Sequence, residues 1–342
     1  MAGYLIQRVI LLGLTFIAIT LIGFVIMHQA PGDPVEMFFA GGLSGSTRGA
    51  SVERLADVER AKEQLRHQLG LDRPLHVQYG VWLSNILTGE LGKSFKDGRP
   101  VWDKIAERLP LTVTLNALSI LLTFVVAIPL GVLSAVRTGS AADRISTLTL
   151  FMLYSLPSFW VGTLIIIFLC GGDYFDWFPP AAIHSVEYDP DWPLMRRLGD
   201  YMYHMAMPLL VHTYGTFAYV SRVLRSSMLE VKSQDYIRTA RAKGLPERTV
   251  ILKHVLRNSI IPIVTTIGGL LPALLGGSVI LETIFSLPGL GYLGYQSILA
   301  RDYPVVLALF SVGSGLTLIG ILISDIALVA VDPRINFRGQ TT

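Results

Sequence analysis

Charge is what this sequence has least of. Asp, Glu, Lys and Arg make up 15% of its 342 residues, and hydrophobic residues make up 51%. Soluble domains carry about 25% charged residues. The shortfall, with apolar residues gathered in long uncharged blocks, excludes an ordinary water-soluble domain and points to lipid. Cysteine is nearly missing too. Cys170 stands alone, which excludes an internal disulfide and a cysteine-based metal cluster. It lies in an uncharged stretch and reads as a small apolar residue in a helix.

Catalytic signatures are absent. The chain has no G-x-x-x-x-G-K-[ST] phosphate loop, so ATP binding by that route is excluded. It has no H-E-x-x-H zinc motif and no G-x-S-x-G nucleophile elbow; Gly42-Leu43-Ser44-Gly45-Ser46 misses the elbow at its last residue. The seven histidines are scattered, with no two at ligand spacing. The expectation is a non-enzyme that binds no metal and no cofactor.

What is abundant is uncharged length. A crossing of the bilayer needs about 20 mostly apolar residues. Val9–Met27, Leu111–Val136, Ile145–Gly172, Met205–Ser221, Asn258–Leu281 and Pro304–Ser324 are six candidates, the fourth being short and interrupted by His212. The first run is too long for a signal peptide, is preceded only by Arg8 and lacks a clear cleavage site, so it reads as a retained anchor. Pro129 in the second run and Pro157 in the third each remove a backbone donor and should kink their helices. Packing geometry and a part in gating both remain open for them.

Basic residues orient the chain. With the N-terminus inside, fourteen Lys and Arg fall on the inner side, nine of them between Arg222 and Arg257. The short outer loops hold Arg196, Arg197 and Arg301. Both termini are therefore expected in the cytoplasm. The organisation expected is a first span over 1–27, an extracytoplasmic segment over 28–108, and a five-helix core over 109–342 that carries a cytoplasmic loop at 222–257.

The extracytoplasmic segment is Gly/Ser-rich over Ala40–Ser51 and patterned as an amphipathic helix over Val52–Leu69. Gly70 should end that helix and Pro74 prevent its resumption. The second outer loop, Asp173–His204, holds six acids and the aromatics Tyr174, Phe175, Trp177, Phe178, Tyr188 and Trp192. Such residues gather at the lipid–water boundary for amphipathic reasons alone; an acidic mouth that meets a docking protein or a cationic substrate is the alternative.

The loop 222–257 has nine basic and three acidic residues. Ser233 can cap a short helix that runs to Lys243, with Asp235 in the first turn and Lys243 in the last, each favourable to the helix dipole. Gly244 suits the position after its end, and Pro246 with Glu247 suits the start of the next helix. Tethering at both ends excludes a DNA-reading helix pair, leaving a membrane anchor or a docking element. Within the spans two acids stand out: Glu282 at the outer end of the fifth and Asp325 toward the inner end of the sixth. An ionisable residue inside a span is a candidate for function, although both lie close enough to span ends to serve structure.

Further segments carry a resemblance that runs almost end to end. They are Pro31-Gly32-Asp33-Pro34, Leu69-Gly70-Leu71-Asp72-Arg73-Pro74-Leu75, Glu107-Arg108-Leu109-Pro110, Pro157-Ser158-Phe159-Trp160, Pro288-Gly289-Leu290-Gly291 and Asp332-Pro333-Arg334-Ile335. With them stands Asp235-Tyr236-Ile237-Arg238-Thr239-Ala240-Arg241-Ala242-Lys243-Gly244-Leu245. In this order they resemble the first permease subunit of the oligopeptide/dipeptide (peptide/nickel) ABC importers. The long second outer loop and Asn336-Phe337-Arg338-Gly339 look similar to the branch associated with microcin C and peptide uptake. Arg238-Thr239-Ala240 stands where the general transporter motif has Glu-Ala-Ala.

The resemblance implies an all-α integral membrane protein, with six transmembrane helices of the type I importer kind and a small extracytoplasmic segment between the first two. It places the protein in a prokaryotic plasma (inner) membrane. It implies a second homologous permease, two ATPases that hold the ATP and Mg, an extracytoplasmic substrate-binding protein, and no nucleic acid. Asp235–Leu245 becomes the ATPase-coupling segment. Arg238, Arg241 and Lys243 would steer the contact, with Tyr236 and Ala242 on the same element, and Ala240, Gly244 and Leu245 would form its centre. Pro129, Pro157, Glu282 and Asp325 are candidates for pathway or gating. Nickel or oligosaccharide is the alternative cargo, and an ion-coupled secondary transporter the alternative class.

Overall fold

The computed structural model describes residues 2–29, 35–36, 39, 52–68, 70–170, 174–264 and 270–331. Among them the regular elements are helices, and the one extended pairing is an isolated bridge between Lys93 and Pro100. The Gly41–Ser51 stretch and the C-terminal motif from Asp332 onward lie outside the described residues. The chain divides into two compact units: one of 1–110 with 290–319, the other of 111–289 with 320–336.

In the first unit, α1 (Ala2–Gln29) shows Ile6, Val9, Ile10, Leu14, Ile22 and Ile26 on its surface, where lipid rather than water would meet them. α2 (Val52–Gln68) is the expected amphipathic helix. Gly70 ends it at φ 66°, with Gly70 N–H donating to His67 O and Leu71 N–H to Arg66 O. Those two bonds are the Schellman arrangement. The expectation that Pro74 blocks further helix is overturned: Pro74 is the residue immediately before α3 (Leu75–Leu87). Proline at a helix start loses no intrahelical bond, so it launches a helix as readily as it stops one. α3 meets the end of α1 through aromatic contacts of Phe24 with Tyr79 and Trp82, and Tyr79 Oη donates to Ile17 O at 3.1 Å.

A buried polar knot completes this unit. The Lys104 ammonium donates to Ser94 Oγ (2.9 Å) and Asp97 Oδ2 (2.8 Å) and lies 3.6 Å from the Asp302 carboxylate. Asp302 also accepts from Ser94 Oγ and from the Phe95 amide. To reach this position the chain turns through Arg301 at φ 53°. A left-handed conformation costs a non-glycine residue about 1–2 kcal/mol, which the bonds on Asp302 offset. Around the knot Val101 and Ile105 pack with Leu290, Leu293, Val305 and Ala308. These belong to α4 (Val101–Val136), a short helix at Leu290–Leu299 and the first turns of the helix Tyr303–Val331.

The second unit holds the remainder of α4, then α5 (Ala141–Ser155) and α6 (Ser158–Ile165, continuing with π geometry over Ile166–Cys170). α7 (Leu194–Lys232) is a single helix of 39 residues that runs through Pro208. α8 (Asp235–Ala242) follows it after a two-residue turn. A further helical stretch starts at Glu247–Thr249, widens to π geometry over Val250–Val255 and tightens again over Leu256–Ser259 and Ile261–Val264. Beyond the undescribed 265–269 come Leu270–Leu275 and Val279–Ile284.

Three described helices are long and apolar enough to cross a bilayer: Ile6–Gln29, Val101–Val136 and Tyr303–Ile323. The pair Ala141–Ser155 and Ser158–Cys170 counts as a fourth crossing if taken together, yet it is bent by 94°. Pro157 thus stands at a sharp break rather than a kink, whereas α4 continues as helix through Pro129. The fifth expected span, Asn258–Leu281, is interrupted at 276–278, where Gly276 and Gly277 precede Ser278.

The polar knot leads to a direct expectation. In Asp302→Ala the Lys104 ammonium, 9% exposed, loses its buried carboxylate. Lys104 keeps Asp97, but the Ser94 hydroxyl and the Phe95 amide lose their acceptor, which costs about 1–3 kcal/mol, so thermal unfolding of the purified protein in detergent should begin at a lower temperature. Wild-type behaviour would show that the knot contributes no net stability.

Candidate functional site

The segment 222–257 forms a built element. α8 is amphipathic over two turns, with Ile237 (0% exposed) and Ala240 (8%) turned into a cluster with Ala135, Leu224, Met228, Val250, Ile251 and Val255. Its end repeats the Schellman pattern: Gly244 N–H donates to Arg241 O (2.9 Å), Leu245 N–H to Ala240 O (3.4 Å), and Gly244 sits at φ 75°. Arg241 forms a two-pronged bond to the Glu247 carboxylate (3.1 and 2.8 Å), and the Asn258 amide donates to Tyr236 Oη at 2.7 Å. The result is a short, stiff projection.

Several expectations for this segment change. Ser233 does not cap α8; its hydroxyl donates to Glu230 O at the end of α7, and Gln234 takes the cap position without a side-chain bond. Ala240 faces the chain's own core, so it is not available at the centre of a contact. Arg241 is engaged by Glu247, an internal brace. The outward surface that remains includes Asp235, Tyr236, Arg238, Thr239, Ala242, Lys243, Gly244 and Leu245.

Beneath α8 lies a polar staple that sequence reasoning passed over. Asp143, 4% exposed, accepts from Arg225 Nε and Nη2 (both 2.9 Å), from Ser134 Oγ and from the Gly139 amide (2.9 Å). The Arg225 bonds foremost, then those from Ser134 and Gly139, hold its carboxyl far below the usual carboxylate range. Ser140 Oγ accepts from Asp143 N–H at 3.2 Å and so caps α5. The Ser140-x-x-Asp143 spacing is a capping signature and was the signal available in the sequence. Lys232 Nζ donates to Ala135 O near the end of α4 (2.9 Å), where cations are favoured.

The breaks inside apolar segments are closed by side chains. At the Pro157 elbow the Leu156 carbonyl accepts from Tyr214 Oη at 2.5 Å. At the 276–278 break Asn116 Nδ2 donates to Leu274 O and Gly276 O, both at 3.1 Å, and Asn116 Oδ1 pairs with His212 Nε2 at 3.0 Å. Since Asn116 uses its amide nitrogen on the two carbonyls, its oxygen is the acceptor and His212 Nε2 carries the proton. Glu282 is fully buried, and its carboxylate accepts from Ser278 N–H at 3.1 Å. It fills the space beside Gly289, where a Cβ would lie 2.4 Å from the carboxyl carbon. Among these contacts Glu282 bonds the first turn of its own helix. Asp325 is half-buried within the last helix, and Pro129 is exposed along α4.

Tyr154, Leu156, Ser158, His212, Thr216 and Tyr219 line a cavity of about 420 Å³ at the elbow. Pro157 borders it through its two neighbours; Pro129, Glu282 and Asp325 do not line it. In the second outer loop Asp200 accepts from the Ser185 amide (3.1 Å) and pairs with His184 Nδ1 (2.9 Å). His184 stacks on Tyr188, and Arg196 lies 3.6 Å over the Trp192 ring. Tyr174, Phe175 and Trp177 remain exposed there, as residues of an interfacial belt would be.

With this geometry in view, the comparisons decide the family. Residues 127–337 match the profile of the binding-protein-dependent transport system inner membrane component, and residues 1–116 match that family's N-terminal region. The chain belongs to this family. It is similar to the oligopeptide transport system permease protein AppB of Bacillus subtilis (strain 168), at 38% identity over 98% of this chain and 100% of the relative. It is also similar to the dipeptide transport system permease protein DppB of Escherichia coli (strain K12), at 37% over 99% and 100%. The inner membrane ABC transporter permease protein YejB of Escherichia coli O157:H7 is 34% identical over 99% and 100%. As a binding-protein-dependent inner membrane component, the chain carries α8 and both membrane breaks inside the matched 127–337 region.

Two measurements follow. Tyr214→Phe removes the hydrogen bond to the partly exposed Leu156 carbonyl, whose net contribution is about 0.5–1.5 kcal/mol; unfolding in detergent should shift accordingly, and an unchanged midpoint would show that the elbow closes without this bond. For Asp200, burial alone would raise the carboxyl pKa, but the bonds from His184 and Ser185 outweigh it and the value is lowered. Its contribution is present above the unfolded-state value of about 3.9 and is lost as pH falls through the lower folded-state value. Fluorescence of Trp177 and Trp192 should therefore hold steady from pH 7 to about pH 4 and change only below that. Asp200→Asn should remove the acid transition.

Proposed function

We propose that this chain is a pore-forming permease subunit of an ATP-driven importer that carries di- and oligopeptides into the cytoplasm by alternating access. The observation that carries the proposal is α8: a projection capped at Gly244, braced by Arg241–Glu247, and anchored through Ile237 and Ala240 to the bundle core. A stiff projection on the basic side of a membrane transporter suits contact with a cytoplasmic motor. The printed names of AppB and DppB, oligopeptide and dipeptide permeases, favour peptide over nickel or oligosaccharide as cargo.

In this reading the protein crosses a prokaryotic inner membrane six times, with both termini in the cytoplasm. Residues 28–108 lie outside, where they help seat a substrate-binding protein. A second homologous permease completes the pore. Two ATPase subunits bind the ATP and Mg and perform the hydrolysis; this chain is not an enzyme. Closure of the ATPases draws the α8 segments together and tips the pore between outward and inward states. Arg238 and Lys243, both exposed, set the rate and register of docking. Tyr236, Ala242 and Leu245 supply its apolar surface. An ion-coupled transporter would place its ionisable groups at the broken helices as ion ligands, whereas Glu282 bonds the first turn of its own helix.

The test uses the assembled transporter with its binding protein and a tripeptide. Leu245 is exposed and makes no core contact, so Leu245→Glu leaves the fold intact. It should cut peptide-stimulated ATP hydrolysis by about tenfold, which corresponds to about 1.4 kcal/mol of lost coupling. Unaltered stimulation in a variant that assembles normally would remove α8 as the coupling element.

A further inference from the structure

α7 is long enough to cross a bilayer and yet is not among the helices apolar enough to do so by composition. Its residues divide into two faces. Val211, Tyr214, Ala218, Ser221, Leu224 and Met228, at intervals of three and four, are buried against neighbouring helices. His212, Gly215, Thr216 and Tyr219, at i, i+3, i+4 and i+7, form an adjoining stripe that lines the elbow cavity together with Val211 and Tyr214 at its edge. A Cβ at Gly215 would meet nothing within 4 Å, so no described element packs against the stripe there.

The chemistry of this wall is consistent along its length. Tyr154 and Ser158 face the stripe from the two sides of the 94° bend. Every polar group on it is a hydroxyl or the His212 imidazole, and no Lys, Arg, Asp or Glu contributes. Tyr154 (61% exposed) and Tyr219 (55%) are large aromatic side chains whose hydroxyls need a polar partner. Lipid tails offer none. Irregular backbone within a bilayer is tolerated where it is enclosed in protein or lines a water-filled cavity, and the Pro157 elbow borders this one.

We propose that His212, Thr216 and Tyr219, with Tyr154 and Ser158 across the elbow, form a wall of the substrate pathway that holds a passing peptide by its backbone amides. The inference rests on the peptide-importer reading and goes beyond it in naming the residues and the mode of recognition. The hydroxyls match amide N–H and C=O in both senses, His212 with its Nε2 proton held by Asn116 can accept from an amide N–H through Nδ1, and tyrosine rings accept apolar side chains. Lacking formal charge, the wall neither attracts nor repels Lys or Glu in the cargo. Such a surface passes peptides of mixed sequence.

The single native thiol makes the test direct. Cys170 is buried, so the unmodified chain serves as the blank. Thr216→Cys, Tyr219→Cys and Leu148→Cys, the last on the exposed apolar face of α5, are each placed in the complete transporter in proteoliposomes. They are treated with a charged, water-soluble thiol reagent. Thiolates form and react in water rather than in lipid, so the two α7 sites should react at least about tenfold faster than Leu148→Cys. Both should be slowed when binding protein, ATP and saturating tri-alanine are supplied.

Reaction no faster than at Leu148→Cys would mean that lipid or the second permease covers the stripe, and the proposal falls. Fast reaction that transported tri-alanine leaves unaltered also overturns it. A second arm probes neutrality: the parent should take up Lys-containing and Glu-containing tripeptides at similar rates, and Thr216→Glu should shift that ratio by about tenfold toward Lys. Strong charge preference in the parent, or no shift in the variant, refutes backbone recognition. If the parent imports no tripeptide at all, the peptide reading fails and backbone recognition with it. Labelling at 216 and 219 with and without ATP then decides the pathway assignment by itself.

Discussion

A carbonyl freed from its helix inside a bilayer has no water to turn to, and much of the second unit is arranged around that constraint. An unsatisfied backbone group in hydrocarbon costs several kcal/mol. This chain breaks two of its apolar segments, at Leu156–Pro157 and at 276–278, and answers each break from a different helix. Tyr214 on α7 bonds the carbonyl at the first. Asn116 on α4 bonds two carbonyls at the second and is itself oriented by His212 of α7. The broken elements are thus specified by polar residues that sit on continuous ones.

The same division governs the cytoplasmic end. Asp143 receives four hydrogen bonds from α4, its following turn and α7, and so ties three helix ends to one carboxylate. Bonds to an ionised group are shorter and about twice as strong as neutral ones. The depressed pKa means that the carboxylate stays charged throughout the physiological range. Next to this fixed point α8 stands on the Ile237–Ala240 face, with its polar surface outward. Only a helix anchored in this way can present Leu245 and Lys243 in a constant position.

Much of this was legible from residue patterns, and the failures share a physical cause. Long uncharged runs located α1, α4 and the last helix, because length and apolarity are local properties. The cap at Gly244 and the end of α2 at Gly70 were equally local. What escaped was the partner of each polar group. Pro157 announced a break, but not that the turn reaches 94° or that Tyr214 closes it. Ala240 looked like a contact residue because small residues permit close approach; burial in its own bundle is a tertiary fact. Asp143 passed as one more charge in a short loop, since its partners Ser134, Gly139 and Arg225 come together only in the fold. Glu282 was rightly noticed as costly to bury, yet the need for Gly289 beside it emerges only once the turn at Ser286 has brought the two together.

These elements converge on α7. It bonds the elbow through Tyr214, supports the second break through His212, holds Asp143 through Arg225, and passes into α8 after a two-residue turn. At 1.5 Å per residue its 39 residues span about 58 Å. A continuous helix carries displacement along its axis, and broken segments yield at their hinges. A displacement of α8 would therefore have a stiff route upward, past the two breaks that α7 supports, of which the Pro157 elbow borders the cavity. The longest of the described helices is thus also one that falls short of the apolarity of the spanning ones, as a helix that would serve at once as lever and as wall must.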